Sequence, residues 1–297
     1  FQLQTERTKE YLELEVSKAY MQLQLAYKAV KVLEKANTTA QGNLKLVENY
    51  FKNGMIQKSE VLYMDVRISE IDSQIQFAKS AVKNASDYLF FLLNETPGDR
   101  VMEPTEKLEY QESLLTLTPE LKADRKDLQA YQKSLESYDY LMKSSAAKFL
   151  PRVNAFGSFE LYDNKFAQFG ANGYLAGVQL SWNVFDGLKA KSEQENYKAE
   201  LTKAQTEITQ YNKQSQLELN KANRQVQDAE NKVNLTKLAL EQSKEAYRIR
   251  KNRYDQGLEK SSDLLMSETT MSQKDLEYQQ AIFEYNVALE YYKFLKQ

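Results

Sequence analysis

Two lines of apolar residues run along opposite sides of one expected helix, and nothing else in this chain restricts its fold as strongly. Leu12, Val16, Ala19, Leu23, Ala26, Val30 and Leu33 step by four and three, the repeat of about 3.5 residues that marks coiled-coil packing. Leu14, Met21, Leu25 and Val32 lie about 180–220° around from that line at about 100° per residue. A helix that is apolar on two sides needs a neighbour on each. A two-stranded coiled coil leaves one side wet, whereas a ring or wall of helices does not. The same spacing recurs at Val61, Met64, Ile68, Ile71, Ile75, Ala78, Val82, Ala85, Leu89 and Leu92, and again at Leu219, Ala222, Val226, Ala229 and Val233.

The pattern is written twice. Sliding the chain by 203 positions brings Gly54 onto Gly257, Ser59 onto Ser262, Leu62 onto Leu265, Asp72 onto Asp275 and Tyr88 onto Tyr291. The match reads as duplication of a helix–turn–helix unit of about 80 residues. All four Pro fall at 97, 104, 119 and 151, and five of the nine Gly crowd between 157 and 187. Helix breakers therefore mark a connector and a second irregular region. The spacing predicts a helical hairpin over 1–93 turning at Gly54, and a connector over 94–118. A shorter helix over 119–148 follows, with Leu128, Tyr131, Leu135, Tyr138 and Met142 on its seam. A β-hairpin over 149–186 and a second helical hairpin over 187–297, turning at Gly257, complete the chain. The long helix before Gly257 should span on the order of 100 Å at about 1.5 Å per residue. Gly54 and Gly257 suit left-handed helix ends.

The stretch "VQLSWNVFDG" alternates with the two-residue period of a strand: Val178, Leu180, Trp182 and Val184 against Gln179, Ser181 and Asn183. The segment before it alternates Val153, Ala155, Phe159 and Leu161 against Arg152, Asn154, Ser158 and Glu160, with Phe156 breaking the pattern. A short loop at about 165–172 joins the two. Both strands exceed the usual five or six residues and reach the 9–11 that a tilted membrane strand needs. Phe149, Tyr162, Tyr174, Trp182 and Phe185 suit interfacial aromatic belts. Tyr174 through Phe185 is expected to touch lipid on alternate residues. A lone hairpin cannot cross a bilayer, because its open edges leave backbone groups unpaired in lipid, so more strands must come from elsewhere. Phe1 lies inside a helical pattern with no cap before it and corresponds to Ala204. A longer precursor with an earlier hairpin is the expected source, so the N-terminal part of the first repeat would be missing.

Composition narrows the function. The net charge is −2 over 297 residues, without the concentrated Lys and Arg that nucleic acid requires. "RIRKNR" at 248–253 lies in the last turns of a helix, where cations complement the dipole. There is no Cys and no His, so thiolate chemistry and the commonest general base are missing. Carboxylates are scattered at salt-bridge spacing along helices. No phosphate loop, nucleophile motif, metal cluster or cofactor site is apparent, and an enzyme is not expected. No run approaches the roughly 20 apolar residues of a spanning helix.

"WNVFDGLKAK" resembles the strand-to-helix exit of TolC-like outer-membrane efflux proteins, and "RKDLQAYQKSLESYDYLMKSSAAKFLPRV" resembles their pre-strand helix. "NGMIQKSEVL" and "QGLEKSSDLL" resemble the Gly-Leu tips of their two helical hairpins. The resemblance covers essentially the whole chain. It implies a mainly α protein with a long β-hairpin: an α-barrel of coiled-coil helices plus transmembrane β-barrel strands, in two tandem repeats. It further implies a homotrimer with four strands per protomer in a twelve-stranded barrel. Such a trimer sits in the outer membrane of a Gram-negative-type envelope and extends into the periplasm. A periplasmic adaptor and an inner-membrane pump would be its partners, and outer-membrane lipid its surroundings. The expected function is a passive exit duct of a tripartite efflux or type I secretion system, gated at its periplasmic tip.

By the same resemblance Asn53, Gly54, Met55, Gln256, Gly257 and Leu258 would form the tips that receive the adaptor. Glu60 and Asp263 each stand six residues after a tip Gly. An acid in the first turn of a helix is stabilising by about 0.3–1 kcal/mol; by resemblance the pair would instead form an acidic ring at the aperture. Tyr254 and Glu259 are the candidate tip latch, Glu259 standing where a basic partner is expected, and Asp263 also matches a latch position. The rival class is a periplasmic coiled-coil adaptor or a structural scaffold without a pore. An adaptor would carry many short strands around one helical hairpin, and a plain scaffold leaves the Trp-bearing strand unexplained.

Overall fold

The described residues hold five helices and one strand pair. In the computed structural model they are α1 (Gln2–Lys52), α2 (Lys58–Leu92), α3 (Lys126–Ala147), α4 (Lys189–Asp255) and α5 (Ser261–Lys296), with strands β1 (Arg152–Tyr162) and β2 (Ala171–Ser181) between α3 and α4. The structure describes residues 2–96, 98–110, 120–122, 125–162 and 171–296, without the side chains of Leu161, Tyr162, Ala171 and Asn172. Expectations on Phe1, Pro97, 111–119 and the loop residues 165–170 lie outside the described residues. The chain divides into two compact units, Lys126–Gln214 and the pair of segments Gln2–Arg125 and Ser215–Gln297.

In the larger unit the two apolar lines of α1 meet two different neighbours. Ala19, Leu23 and Ala26, with Val30 beside them, pack against Val82, Ala85 and Leu89 of α2. Leu25 and Met21 join Leu219, Ala222 and Val226 of α4 and Ala281, Ile282 and Tyr285 of α5. Each Leu, Val or Ile side chain among them contributes about 1.5–3 kcal/mol when fully buried, so the two lines commit α1 to both partners. Leu12 departs from expectation and is exposed. Leu92, at the end of α2, packs at the level of Ala19 and Leu23, so no part of α2 reaches Leu12.

Both helical hairpins turn in the same way. Gly54 (φ 70) and Gly257 (φ 74) are left-handed. Gly54 N–H donates to Phe51 O and Met55 N–H to Tyr50 O, each at 2.9 Å; Gly257 N–H to Tyr254 O and Leu258 N–H to Arg253 O repeat the pair at 2.9 Å. This is the Schellman arrangement, which satisfies the last helical carbonyls. At the other end of α2, Asn94 (φ 56) takes the same role.

The described part of the connector is tied down as a strap. Leu108 is buried in the α4–α5 core. Met102 N–H donates to Ser86 Oγ (2.8 Å) and Met102 O accepts Tyr27 OH (3.1 Å). Gln24 and Asn286 donate to Glu106 O and Glu109 O at 3.1 and 3.3 Å. Backbone groups without a helix or sheet thus find side-chain partners.

The smaller unit holds α3, the strand pair and the start of α4. α3 begins at Lys126, later than the expected 119, because Leu121 is used for packing on the α4–α5 core. α3 lies against the start of α4 through the Tyr131–Tyr211 ring pair (4.8 Å) and the Tyr211 hydroxyl on Asp127 Oδ2 (2.6 Å). At the other end of α3, Ser145 Oγ donates to Ala190 O at 3.4 Å, and Lys148 Nζ reaches both oxygens of Glu193 at 2.6 Å.

The strands pair antiparallel from Arg152↔Ser181 to Tyr162↔Ala171. The register puts Val153, Ala155 and Phe159 on one face with Leu180, Val178 and Tyr174. The opposite face carries Arg152, Asn154, Ser158 and Glu160 with Ser181 and Gln179. Phe156 and Leu175, the partner of Ser158, are the apolar exceptions on this face, and Gly177 makes room for Phe156. Phe156 and Gly177 are partners, and a Cβ on Gly177 would lie 2.6 Å from the Phe156 ring. β2 ends at Ser181, so Trp182, Val184 and Phe185, expected to continue the alternation, lie beyond the strand. The turn into α4 intervenes, with Gly187 (φ 67) and Leu188 (φ 68) both left-handed and Asp186 Oδ2 accepting the Ala190 amide at 2.8 Å. Among the described residues no helix is long and apolar enough to cross a membrane.

Candidate functional site: the helical tips and the strand hairpin

At the tips the four helix ends of the larger unit share a small core. Val47, Met64, Tyr254 and Leu264 are buried together, flanked by Tyr50, Ile56, Tyr247 and Leu265. Tyr50 and Tyr254 pack ring to ring at 5.3 Å. The Tyr50 hydroxyl reaches Tyr254 O and Asp255 O at 3.2 and 3.1 Å, and so serves carbonyls that α4 leaves open at its end. Above it the Tyr247 hydroxyl donates to Asn43 Oδ1 (3.2 Å). These contacts bind the first hairpin to the second.

The predicted site residues are placed as follows. Asn53, Gly54, Met55, Gln256, Gly257 and Leu258 are exposed on the two turns. Glu60 and Asp263 are half-buried acids in the first turns of α2 and α5. Glu60 lines a groove of about 560 Å³ between these helices, with Tyr63, Arg67, Ser261 and Leu265 among its walls. Tyr254 and Glu259, the candidate latch, do not meet each other. The Tyr254 hydroxyl lies 3.1 Å from Ser261 Oγ, and burial pushes it above its ordinary pKa. Glu259 accepts Arg250 and Arg253, each at 2.7 Å. The basic run at 248–253 stays exposed, and Glu259 beyond the turn partly neutralises it. An acid at position 259 fits because two arginines on the preceding helix surround it.

One pair was missed by the sequence reading. Arg67 Nε of α2 and Glu268 Oε2 of α5 face each other at 3.6 Å, and the Glu268 side chain is 0% exposed. Glu268 lies one helical step beyond buried Leu264, so an acid at a seam position was the available signal. The duplication concealed it, because Arg67 aligns with Thr270 and Glu268 with Asp65. Among the described residues no group of three or more His, Cys, Asp or Glu is placed to hold a metal ion.

On the smaller unit the apolar face of the hairpin lies open. Val153 is 67% exposed, Phe159 65%, Val178 73%, Leu180 67% and Tyr174 89%. Phe149, Trp182 and Phe185 are exposed at the base of the strands. Trp182 Nε1 donates to Phe149 O at 3.2 Å, which fixes the indole beside the entry to β1. Tyr162 ends β1, and its side chain lies outside the described residues. Among the described residues no further strand pairs with either outer edge of this two-stranded sheet.

The family described as outer membrane efflux protein matches residues 117–290. No curated protein sequence matches the chain. Among solved structures, the outer-membrane channel OprN is similar at 20% identity over 100% of this chain and 68% of its own, with a TM-score of 0.82. The outer membrane protein VceC from Vibrio cholerae is similar at 17% identity over 98% of this chain and 71% of its own, with a TM-score of 0.79. The open state of the Neisseria gonorrhoeae MtrE outer membrane channel is similar at 16% identity over 99% and 68%, with a TM-score of 0.80. At these identities the likeness is one of fold: long helices and a strand hairpin in the arrangement of a TolC-like protomer. The family match runs from the approach to α3 through the hairpin, α4 and most of α5, and with it the chain belongs to the outer membrane efflux protein family, the TolC-like channels of the outer membrane.

Proposed function

We propose that the chain is one protomer of a homotrimeric exit duct, a passive outer-membrane conduit that extends into the periplasm and is gated at its helical tips. The observation that carries this reading is the open apolar face of the hairpin. Five large apolar side chains, each more than 60% exposed, cover one side of a sheet whose two edges are unpaired among the described residues. Water does not tolerate a patch of this kind without a partner, and lipid does not tolerate open edges. A closed barrel built from several copies answers both demands. Three protomers with four strands each, the count the resemblance implies, would close such a barrel.

The helices support the same assembly. Leu62, Val66 and Phe77 form an exposed apolar line on α2, away from the seam that faces α1. Neighbouring protomers are its proposed cover, which would close the helices into a tube. The hairpins 1–93 and 187–297 are then the α-barrel, 94–118 the equatorial connector, 119–148 the pre-strand helix and 149–186 the membrane hairpin. The turns at Gly54 and Gly257 receive a periplasmic adaptor joined to an inner-membrane pump. Glu60 and Asp263, repeated threefold, line the aperture, and Phe149, Tyr162, Tyr174, Trp182 and Phe185 sit at membrane interfaces. Tyr254 and Glu259 brace the second tip from within one protomer.

Planar-bilayer recording of the purified full-length protein tests this. Stepwise conductance is expected, with cation preference reduced in an E60Q/D263N double variant. A trimer that never conducts, even with these acids neutralised, would overturn the reading.

A further inference from the structure

We propose that Glu268 is a charge-driven wedge between the two return helices, which favours separation of α5 from α2 near the tips, while Arg67 is the counter-charge that restrains it. The inference rests on the channel reading only for its consequence at the pore, since separation of α2 from α5 is a property of one protomer.

The geometry is that of an ion sealed in at a loss. The Glu268 side chain is fully buried, and neither of its oxygens accepts a hydrogen bond. Among the described residues its one opposed cation is Arg67, which stands at 3.6 Å with Nε also lacking a hydrogen bond. Arg67 is shared, since its NH1 lies 3.5 Å from Glu70. Among the described residues the charged and titratable groups around Glu268 are Arg67 with Glu70 behind it on α2, and Tyr247 on α4, whose hydroxyl is raised by burial and, more weakly, by Glu268. On the α1 side stands Asn43, uncharged, accepting that hydroxyl.

Taking a carboxylate out of water costs several kcal/mol, and one ion pair without hydrogen bonds does not recover it. The Glu268 pKa is accordingly raised, with burial outweighing Arg67. The direction of the effect follows from linkage. The packed arrangement holds the proton more tightly than any arrangement in which Glu268 is hydrated. Acid therefore favours packing, and rising pH favours separation. The groove between α2 and α5, lined by Arg67, Met64, Ser261 and Leu265, is where water reaches the pair once α5 moves.

A brace and a wedge predict different mutants. If the pair were a brace, removing either partner would loosen the tip. For a wedge, E268Q tightens it, whereas R67M loosens it at neutral pH by leaving the carboxylate without a counter-charge. The chain has no Cys, so spin labels on S69C and T270C, both exposed, report the α2–α5 distance in trimers diluted with unlabelled protomers. The wild-type distribution is expected to shift shorter on acidification, with a midpoint above the ordinary Glu value of about 4.3. E268Q should stay short at every pH, and R67M should be longer at neutral pH and recover in acid. Lengthening in both variants, or a wild-type distance indifferent to pH, would overturn the wedge. If R67M fails to fold, the wild-type and E268Q titrations decide alone. Conductance measured in parallel separates the two claims. A pH-dependent distance without conduction sinks the channel and keeps the wedge, and conduction with a fixed distance does the reverse.

Discussion

Single residues at the turns and strands owe their identities to separate physical causes. Gly54 and Gly257 have nothing within 4 Å of where a Cβ would stand, so steric packing does not require glycine there. Left-handed backbone does, and Gly257→Ala is expected to lower stability by about 1–2 kcal/mol with the helices intact, read by thermal unfolding. Gly177 is the opposite case. Its strand backbone suits any residue, but the Phe156 ring occupies the space. Gly177→Val should destabilise the hairpin, and adding Phe156→Ala should recover part of the loss in a double-mutant cycle. Glu268 makes the pH prediction. Its raised pKa means that its favourable contribution is complete below the unfolded value of about 4.3 and is lost as pH rises through the folded value. The melting temperature of wild type relative to E268Q should therefore fall as pH rises through that window, and the other carboxylates cancel in the difference. The glycine turns were legible because left-handed helix ends select glycine by local geometry alone. The Phe156–Gly177 contact and the Arg67–Glu268 pair were not, because each depends on which positions face one another across elements.

Among the elements, the heptads carried most of the fold. Two apolar lines on α1 foretold two neighbours, and the structure supplies α2 on one side and α4–α5 on the other. The ends of elements were less legible. Leu12 fits the repeat but outlasts the helix that would cover it, and Trp182 continues the strand alternation after pairing has stopped. Spacing records which side of an element is apolar, not how far the partner extends. The inner and outer lines of the helices should respond differently to mutation. Leu23, buried against α2, is expected to cost about 2–5 kcal/mol when changed to Ala, read as a lowered melting temperature with no change in assembled mass. If neighbouring protomers cover the exposed line of α2 as proposed, Phe77→Glu should keep the helical signal but shift the mass from trimer toward protomer.

For the whole molecule, the apolar side of the hairpin decides between a membrane duct and a periplasmic scaffold. The family was legible from the order of weak motifs, because the strand exit, the pre-strand helix and the glycine tips follow in sequence. In the proposed duct the aperture and the adaptor surfaces would be formed by several chains together, so the pattern of one chain indicates them only by resemblance. The most direct test is oxygen accessibility of spin labels along β1 and β2 in trimers reconstituted into lipid bilayers. Labels at Val153, Ala155, Phe159, Tyr174, Val178 and Leu180 should be accessible to oxygen from the hydrocarbon, and labels at Asn154, Ser158 and Gln179 to a water-soluble relaxation agent. Equal water access on both faces, or a hairpin shielded from lipid throughout, would contradict the membrane placement on which the duct depends.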